Sequence, residues 1–203
     1  MSWSDIDALL WATAPRNAPR PSRFPEVDIV GGSADTPVGT LTLAATDRGL
    51  LACSYEGWEA VAERVATVMA PRLRRDERQL DPVRRELDAY FTGRLHIFST
   101  RPDLRLAGSF GQAVLRALEQ VPYGSTVTYA HLAERIGRPR APRAVGNALT
   151  NNPVCVVVPC HRVVPDDDGA GIGGYAGGTD IKRLLLDLEA GRGGPGSDPA
   201  SRS

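Results

Sequence analysis

The sequence from residue 142 to residue 164, PRAVGNALTNNPVCVVVPCHRVV, combines a helix signal, a chain break and an apolar run. Pro142 is typical of a first helical position, and Pro153 is typical of a residue just beyond a helix end, which predicts a helix between them. The run CVVVP at residues 155–159 predicts a short buried strand. That strand leads into three residues with reactive or charged side chains, which are Cys160, His161 and Arg162.

The residues before this stretch predict two further helices. SFGQAVLRALEQV at residues 109–121 has the apolar spacing of an amphipathic helix. YAHLAERIG follows Thr128, which is a suitable N-cap, and ends at Gly137, which is a suitable C-cap. A tight turn at residues 138–141 then leads into the helix at Pro142, so the pair predicts a helix-turn-helix motif with its second helix against DNA.

The first half of the chain has a different character. Residues 38–54, VGTLTLAATDRGLLACS, predict a β-hairpin with its turn at residues 47–49. A helix is predicted over residues 57–70, and another begins with Asp81 as N-cap and ends at Gly93. The chain is therefore predicted to be an α+β protein, with a small α/β unit followed by a mostly helical one.

The domain organisation follows from these changes in composition. A Gly-rich loop at residues 169–178 precedes a last helix over Thr179–Glu189, and the residues beyond it have the composition of a disordered tail. The predicted divisions are an N-terminal arm (1–25), an N-terminal α/β domain (26–105), a C-terminal domain (106–190) and a disordered tail (191–203).

Composition excludes several classes of protein. The 203 residues are 42% hydrophobic and 24% charged, which is ordinary for a globular protein, and no apolar run approaches the roughly 20 residues that span a bilayer. Three cysteines without a CxxC pair, and no secretory signal, predict free thiols and a cytoplasmic location. The three histidines and three cysteines have no zinc-site spacing, so neither a metal nor another cofactor is expected.

Charge is neutral overall but unevenly distributed. Residues 101–163 contain eight arginines and three acidic residues, whereas the residues before them sum to −2 and those after them to −3. A basic central segment is typical of a nucleic-acid footprint, and it equally fits an ordinary solvated face.

Cys160 and His161 are the candidate reactive pair. A thiol attacks only as its thiolate, and a neighbouring histidine can accept the proton through a water molecule. The histidine then needs a carboxylate to hold its tautomer. Without further context, a cysteine after a run of valines is also typical of an apolar core.

The wider context resembles one family. NNPVCVVVPCHRVV, preceded by RAVGNAL and by PYGSTVTYAHLA and followed by GGYAGG, is similar to the O6-alkylguanine-DNA alkyltransferases, over roughly residues 36–190. The resemblance implies a ribonuclease H-like N-terminal domain and a winged-helix-like C-terminal domain. It also implies direct-reversal DNA repair, in which the protein irreversibly transfers an alkyl group from guanine O6 to its own cysteine; activity on O4 of thymine is left open.

The resemblance also implies roles for individual residues in the chemistry. Cys160 would be the nucleophile, and His161 the base that acts through water. Glu189 would orient His161, Asn152 would brace the active-site strand, and Tyr129 would donate a hydrogen bond to guanine N3. Cys155 has no such role and is interpreted as a core residue.

Further residues are implied for the base pocket and the DNA contact. Val163, with the Cys160 carbonyl, would face the exocyclic amine of the base, and the pocket near O6 would be formed by Tyr175 and Ala176. Arg143 would enter the base stack in place of the flipped nucleotide. The rest of that helix face is small and would approach the minor groove closely: Ala144, Gly146 and Asn147.

The expected partner is therefore double-stranded DNA containing O6-alkylguanine, bound by a monomer with no membrane involvement. A non-catalytic alkylated-base-binding protein is the main alternative, although Cys160 argues against it. A transcription regulator would need base-reading side chains that the helix at Pro142 lacks. A cysteine-histidine hydrolase would need an oxyanion hole and a water route.

Overall fold

The computed structural model describes residues 26–74, 77–166 and 171–192. The predicted N-terminal arm and nearly all of the predicted tail lie outside these ranges. None of the helices within them is long and apolar enough to cross a lipid bilayer.

The first half of the described chain contains the four-stranded sheet, and the second half is mostly helical. The first half contains strands β1 (Glu26–Thr36), β2 (Gly39–Thr46), β3 (Gly49–Ser54) and β4 (Ala70–Arg74), and helices α1 (Trp58–Ala66) and α2 (Asp81–Phe91). The second half contains helices α3 (Ser109–Leu118), α4 (Tyr129–Arg135), α5 (Pro142–Thr150) and α6 (Thr179–Glu189), and the two-residue strands β5 (Val127–Thr128) and β6 (Val163–Val164).

The four long strands form one sheet in the order β3-β2-β1-β4. The predicted hairpin is confirmed, because β2 and β3 pair antiparallel on either side of residues 47–48. Strand β1 pairs antiparallel with β2 and parallel with β4. Neither β1 nor β4 was predicted, because β1 contains two central glycines and β4 is short and rich in arginine.

The two glycines of β1 allow close packing on both faces of the sheet. A Cβ atom at Gly31 would lie 2.4 Å from the Trp58 ring of α1, and one at Gly32 would lie 2.6 Å from the Leu80 side chain. Because successive residues of a strand face opposite sides, each glycine allows a close contact on a different face of the sheet. The sheet thus has one apolar cluster with α1 and a second, larger one that continues into the C-terminal half.

The predicted helices of the first half are present with shifted ends. Helix α1 ends at Ala66, four residues earlier than predicted, because the chain then turns into β4. The prediction of Asp81 as an N-cap is wrong: a 3-10 helix over Glu77–Leu80 continues directly into α2, so Asp81 already lies in the first turn and Leu80 is the N-cap.

The helix-turn-helix prediction is confirmed. The Thr128 side chain accepts a hydrogen bond from the His131 backbone at 3.1 Å and so caps α4. At the other end, Gly137 has φ +69°, and the Gly137 and Arg138 amides return to the carbonyls of the last turn. Helix α5 begins at Pro142 as predicted and packs against both α3 and α4.

The prediction of a strand at residues 155–159 is wrong. The chain makes one bridge just before this segment, between Cys53 of β3 and Val154, and the segment then follows tight turns in which the Val157 amide donates to the Cys155 carbonyl. Val156 has φ +69°, a conformation that is rare for a β-branched residue. An apolar run indicates burial, but burial alone does not distinguish a strand from a compact buried turn.

Candidate active site

The tight turn after Val154 places Cys160 beside Asn152. The Asn152 Nδ2 amide donates to the Cys160 Sγ atom at 3.1 Å and to the Val158 carbonyl at 3.1 Å. Its Oδ1 atom accepts from the Val154 amide at 3.0 Å. One buried side chain therefore holds both ends of the turn and contacts the sulfur directly.

The surroundings of Cys160 favour its thiolate. The nearby Cys155 thiol, whose hydrogen-bond acceptor is the Asn152 carbonyl at 3.6 Å, lowers the pKa of Cys160 despite its burial, as do the Asn152 amide and the positive charge of Lys182. Its closeness to Cys160 and its burial raise the pKa of Cys155, so Cys155 stays a thiol. Cys155 is buried, as expected of a core residue, but it also contacts the candidate nucleophile, and that contact was not predicted.

His161 and Glu189 form the expected pair. The His161 Nε2 atom lies 2.8 Å from Glu189 Oε1, and both side chains are buried. Because the carboxylate can only accept, Nε2 carries the proton, and the basic lone pair is on Nδ1. His161 Nδ1 has no hydrogen-bond partner among the described residues. Burial lowers the pKa of His161, which keeps the ring neutral at physiological pH.

Glu189 is the centre of a larger polar network. The guanidinium of Arg162 donates to both carboxylate oxygens at 2.9 Å, and the Gly124 amide donates to Oε2 at 3.1 Å. The Tyr90 hydroxyl donates to Oε1 at 2.8 Å. Burial raises the pKa of Glu189, but the hydrogen bonds from His161 and Arg162 outweigh it and lower the pKa to about 2.

Lys182 is the only lysine of the chain and is fully buried in α6. Its Nζ atom donates to the Val163 carbonyl at 2.6 Å and to the Gly174 carbonyl at 3.2 Å. It thus joins the segment after Cys160 to the Gly-rich loop. Burial lowers the pKa of Lys182 to about 8, so it remains mostly protonated at neutral pH.

Tyr129 is the first of the expected base-pocket residues, and it lies near Cys160. The Tyr129 ring lies between α5 and the Gly-rich loop: a Cβ atom at Gly146 would be 3.7 Å from the ring, and one at Gly173 would be 3.1 Å from the hydroxyl. Burial and the nearby Cys160 raise the pKa of Tyr129, so it keeps its proton as a donor.

The other three pocket candidates differ in exposure. The Tyr175 hydroxyl is 3.2 Å from that of Tyr55, and its ring meets His161 edge to face at a centroid distance of 6.2 Å. Val163 is fully buried, and its carbonyl has one remaining lone pair besides the bond from Lys182. Ala176 is exposed.

Helix α5 presents the four predicted DNA-contact residues on its outer side. Arg143, Ala144 and Asn147 are exposed and Gly146 is partly exposed, whereas Val145 and Leu149 are buried. No carboxylate of the described ranges forms an ion pair with Arg143. A Cβ atom at Gly146 would make only an ordinary contact with Tyr129, so packing within the protein does not require a glycine there.

Two family models match nearly the whole described chain. The 6-O-methylguanine DNA methyltransferase ribonuclease-like domain matches residues 29–104, and the DNA binding domain of the same family matches residues 109–191. The chain belongs to this family. The predicted family and the predicted α+β fold class, with a ribonuclease-like unit before a helical DNA-binding unit, are thereby confirmed.

Individual members of the family agree. The chain is 38% identical to a methylated-DNA–protein-cysteine methyltransferase of Methanosarcina barkeri over 76% of its own length and 93% of the relative. It is 40% identical to the enzyme of that name from Mycobacterium tuberculosis, over 78% and 90%. The crystal structure of Mycobacterium tuberculosis OGT in complex with DNA superposes with a TM-score of 0.66 at 35% identity, covering 81% of this chain and 95% of that one. The prediction of a methylated-DNA–protein-cysteine methyltransferase is confirmed.

Sequence reasoning did not identify four of the residues that contact the candidate site residues or shift their pKa values. They are Tyr90, Cys155, Arg162 and Lys182. The sequence did indicate two of them. Arg162 directly follows His161, and Lys182 lies in the same predicted helix as Glu189. Tyr90 carried no such signal, because it lies in the other half of the chain and meets Glu189 only through folding.

Proposed function

We propose that this protein repairs alkylated DNA by transferring the alkyl group from guanine O6 to Cys160, in a reaction that each molecule performs once. The observation that carries the proposal is the continuous arrangement of Asn152, Cys160, His161 and Glu189. It combines a sulfur whose pKa is lowered with a neutral histidine whose proton faces a carboxylate.

The chemical step needs only these groups. His161 Nδ1 takes the thiol proton through a water molecule, and the Cys160 thiolate attacks the alkyl carbon. The bond between that carbon and O6 breaks, its electron pair stays on the base, and the proton is returned as unmodified guanine leaves. The product is a thioether, which has no ready route back to the thiol, so one protein molecule repairs one lesion.

The leaving base is held by the pocket residues. Tyr129 donates to guanine N3, which stabilises the negative charge that develops on the base. The carbonyls of Cys160 and Val163 accept from the exocyclic amine, and Tyr175 with the Ala176 backbone amide lies near O6. The raised pKa of Tyr129 supports its role as a hydrogen-bond donor, because the hydroxyl remains protonated.

DNA is bound through the outer face of α5, in the minor groove, by a single copy of the protein. Guanine O6 is inaccessible within the base stack, so the nucleotide must flip out at a cost of a few kcal/mol. Arg143 enters the gap and offsets part of that cost, and the small residues Ala144, Gly146 and Asn147 let the helix backbone approach closely. The exposure of Arg143 and its lack of an ion pair within the described ranges support this role.

We place the two domains at residues 26–105 and 106–190, with the arm and the tail outside them. A reducing, cytoplasmic location is proposed with them, supported by the free thiols of Cys53, Cys155 and Cys160. The alternative of a non-catalytic base-binding protein is disfavoured, because such a protein has no need of a thiol with a lowered pKa beside a neutral histidine.

Intact-mass measurement tests the proposal directly. With excess duplex that contains O6-methylguanine, the protein should gain one methyl group and then stop, and the labelled peptide should contain Cys160. Cys160→Ala should bind the duplex without gaining mass, and Cys53→Ala is the matched control that should still be methylated. Repeated turnover, or a methyl group on Cys155, would contradict the assignment.

A further inference from the structure

Tyr90 brings a side chain from the N-terminal half into the centre of the candidate active site. It lies in α2, is fully buried, and is separated from Glu189 by 99 residues along the chain. Its hydroxyl is 2.8 Å from Glu189 Oε1 and 3.4 Å from His161 Nε2. No other side chain of α2 hydrogen bonds to Glu189 within the described ranges.

The ring of Tyr90 is held rigidly by aromatic neighbours. It packs against Phe91 and Phe98 with centroid distances of 5.2 and 5.3 Å, and against Tyr123 at 6.1 Å. Two of these contacts are edge to face, a favourable geometry for aromatic pairs. The hydroxyl therefore has a well-defined position toward the carboxylate.

The Glu189 carboxylate is shared among competing donors. Oε1 accepts from Tyr90, His161 and Arg162, whereas Oε2 accepts from Arg162 and the Gly124 amide. Each donor withdraws some of the negative charge that would otherwise stabilise an imidazolium at His161. Tyr90 differs from Arg162 because it is neutral, and it remains protonated, since burial and the Glu189 charge raise its pKa far above the usual range.

We propose that Tyr90 is a positioning residue for alkyl transfer, which fixes Glu189 Oε1 and limits the basicity of His161 from the N-terminal domain. The proposal rests on the function proposed above, in which neutral His161 accepts the proton of Cys160. It goes further by making the N-terminal domain part of the proton-transfer site.

A pH test of this proposal must take account of the other titratable and charged groups that face His161. Glu189 and Lys182 approach it from α6, and Arg162 is its neighbour along the chain. Tyr175 meets the ring edge to face. Tyr90→Phe leaves each of these side chains in place, so a change in pH dependence reports on the lost hydroxyl and its hydrogen bond to Glu189.

Tyr90→Phe keeps the ring and removes only the donor. Single-turnover methyl transfer from a saturating methylated duplex should be about tenfold slower on its plateau, the loss expected for one hydrogen bond to a charged group. The sign of the pH effect follows from the charge balance: with one donor fewer on Oε1, the His161 imidazolium is better stabilised and its pKa rises. The acid limb of the rate profile should then move to higher pH by about one unit.

Tyr123→Phe is the matched control. It removes a tyrosine hydroxyl from the same aromatic cluster, but one that lies 3.5 Å from the Leu188 carbonyl and donates to neither oxygen of Glu189. Its rate and acid limb should match the unmodified protein. If both variants behave alike, Tyr90 acts through packing alone and the proposal fails.

A ring-fluorinated tyrosine at position 90 tests the opposite direction. Its hydroxyl is a stronger donor, so the acid limb should move to lower pH while the fold is kept. An unchanged profile in both Tyr90 variants, with normal DNA binding and thermal stability, would overturn the proposal. These results are separate from failure of the proposed function, which would appear as no methyl group on Cys160 in the unmodified protein.

Discussion

The surroundings of Cys160 and the outer face of α5 differ in whether their polar groups are buried or exposed. Around Cys160 the polar groups are buried and joined to one another: Asn152 contacts the sulfur, and Glu189 accepts hydrogen bonds from four residues. On α5 the polar groups are exposed, and Arg143 has no ion-pair partner in the described part of the chain. Under the proposed function, the chemistry depends on buried contacts that folding has already made, whereas DNA recognition depends on exposed side chains of α5.

The largest effect is expected where the buried network loses its charge. Glu189→Gln leaves Arg162 buried without a counter-charge, and the neutral amide no longer stabilises an imidazolium at His161. We expect unfolding free energy to fall by about 3 kcal/mol and transfer to slow by about two orders of magnitude, as for loss of an orienting carboxylate. Denaturant titration and single-turnover kinetics measure the two effects. Normal transfer in this variant would show that His161 needs no carboxylate.

Truncation provides a companion test at this end of the chain. Ending the protein at residue 192 should change neither stability nor transfer, whereas ending it before Glu189 should impair both. Equal effects from the two truncations would contradict the assignment of Glu189.

Arg143→Ala is expected to affect recognition and leave chemistry intact. Transfer from a saturating methylated duplex should slow by at least about tenfold, because nothing offsets the cost of flipping the nucleotide. Transfer from the free base O6-benzylguanine should be unchanged if the pocket admits it, since that substrate is not flipped. Thermal stability should not change. If Arg143 contacts only a phosphate, saturating duplex will restore the full rate and only the salt dependence of binding will fall, by about one phosphate.

Cys155→Ala tests the thiol contact at the nucleophile. Removing the Cys155 thiol takes away a group that lowers the pKa of Cys160, so that pKa rises and less thiolate is present at neutral pH. Transfer should slow about threefold to tenfold at pH 7, the size expected for one weak hydrogen bond, and should recover as the pH is raised. A uniform loss at every pH would indicate a packing defect, with no effect on the pKa of Cys160.

Gly146→Ala should have the smallest effect, and it should change stability and DNA binding in opposite directions. The added methyl group meets only the Tyr129 ring at an ordinary distance, and alanine favours a helix over glycine by about 0.8–1.0 kcal/mol. The melting temperature should therefore rise slightly, while duplex binding weakens because the helix backbone is held further from the groove. Stronger or unchanged duplex binding would show that α5 does not approach DNA at this residue.

Local signals accounted for the elements that depend on neighbouring residues. The hairpin at residues 38–54 and the helix-turn-helix could be predicted because a turn or a cap depends on a few adjacent side chains. Pro142 and Thr128 are such residues. The Cys160-His161 pair could likewise be recognised from the motifs around it.

Strands β1 and β4 could not be recognised in the same way. The centre of β1 contains Gly31 and Gly32, which weaken a strand signal. In the folded protein they leave room for the Trp58 and Leu80 side chains, which pack closely against the strand. The error at the apolar residues 155–159 was the opposite one, because a strand was predicted where the structure has a turn. Their burial was evident, but the chain bridges β3 only at Val154 and turns at Val156, which no local signal indicated.

The sequence by itself determined the family, the helix-turn-helix and the proposed nucleophile and base, because each is carried by residues close together in the chain. Only the tertiary structure decided which groups control them. Tyr90 and Glu189 meet across 99 residues, and Cys155 contacts Cys160 only because the chain turns where a strand was predicted. The reason is physical: hydrogen bonds and charge effects act over a few ångströms in space, and sequence separation does not limit them.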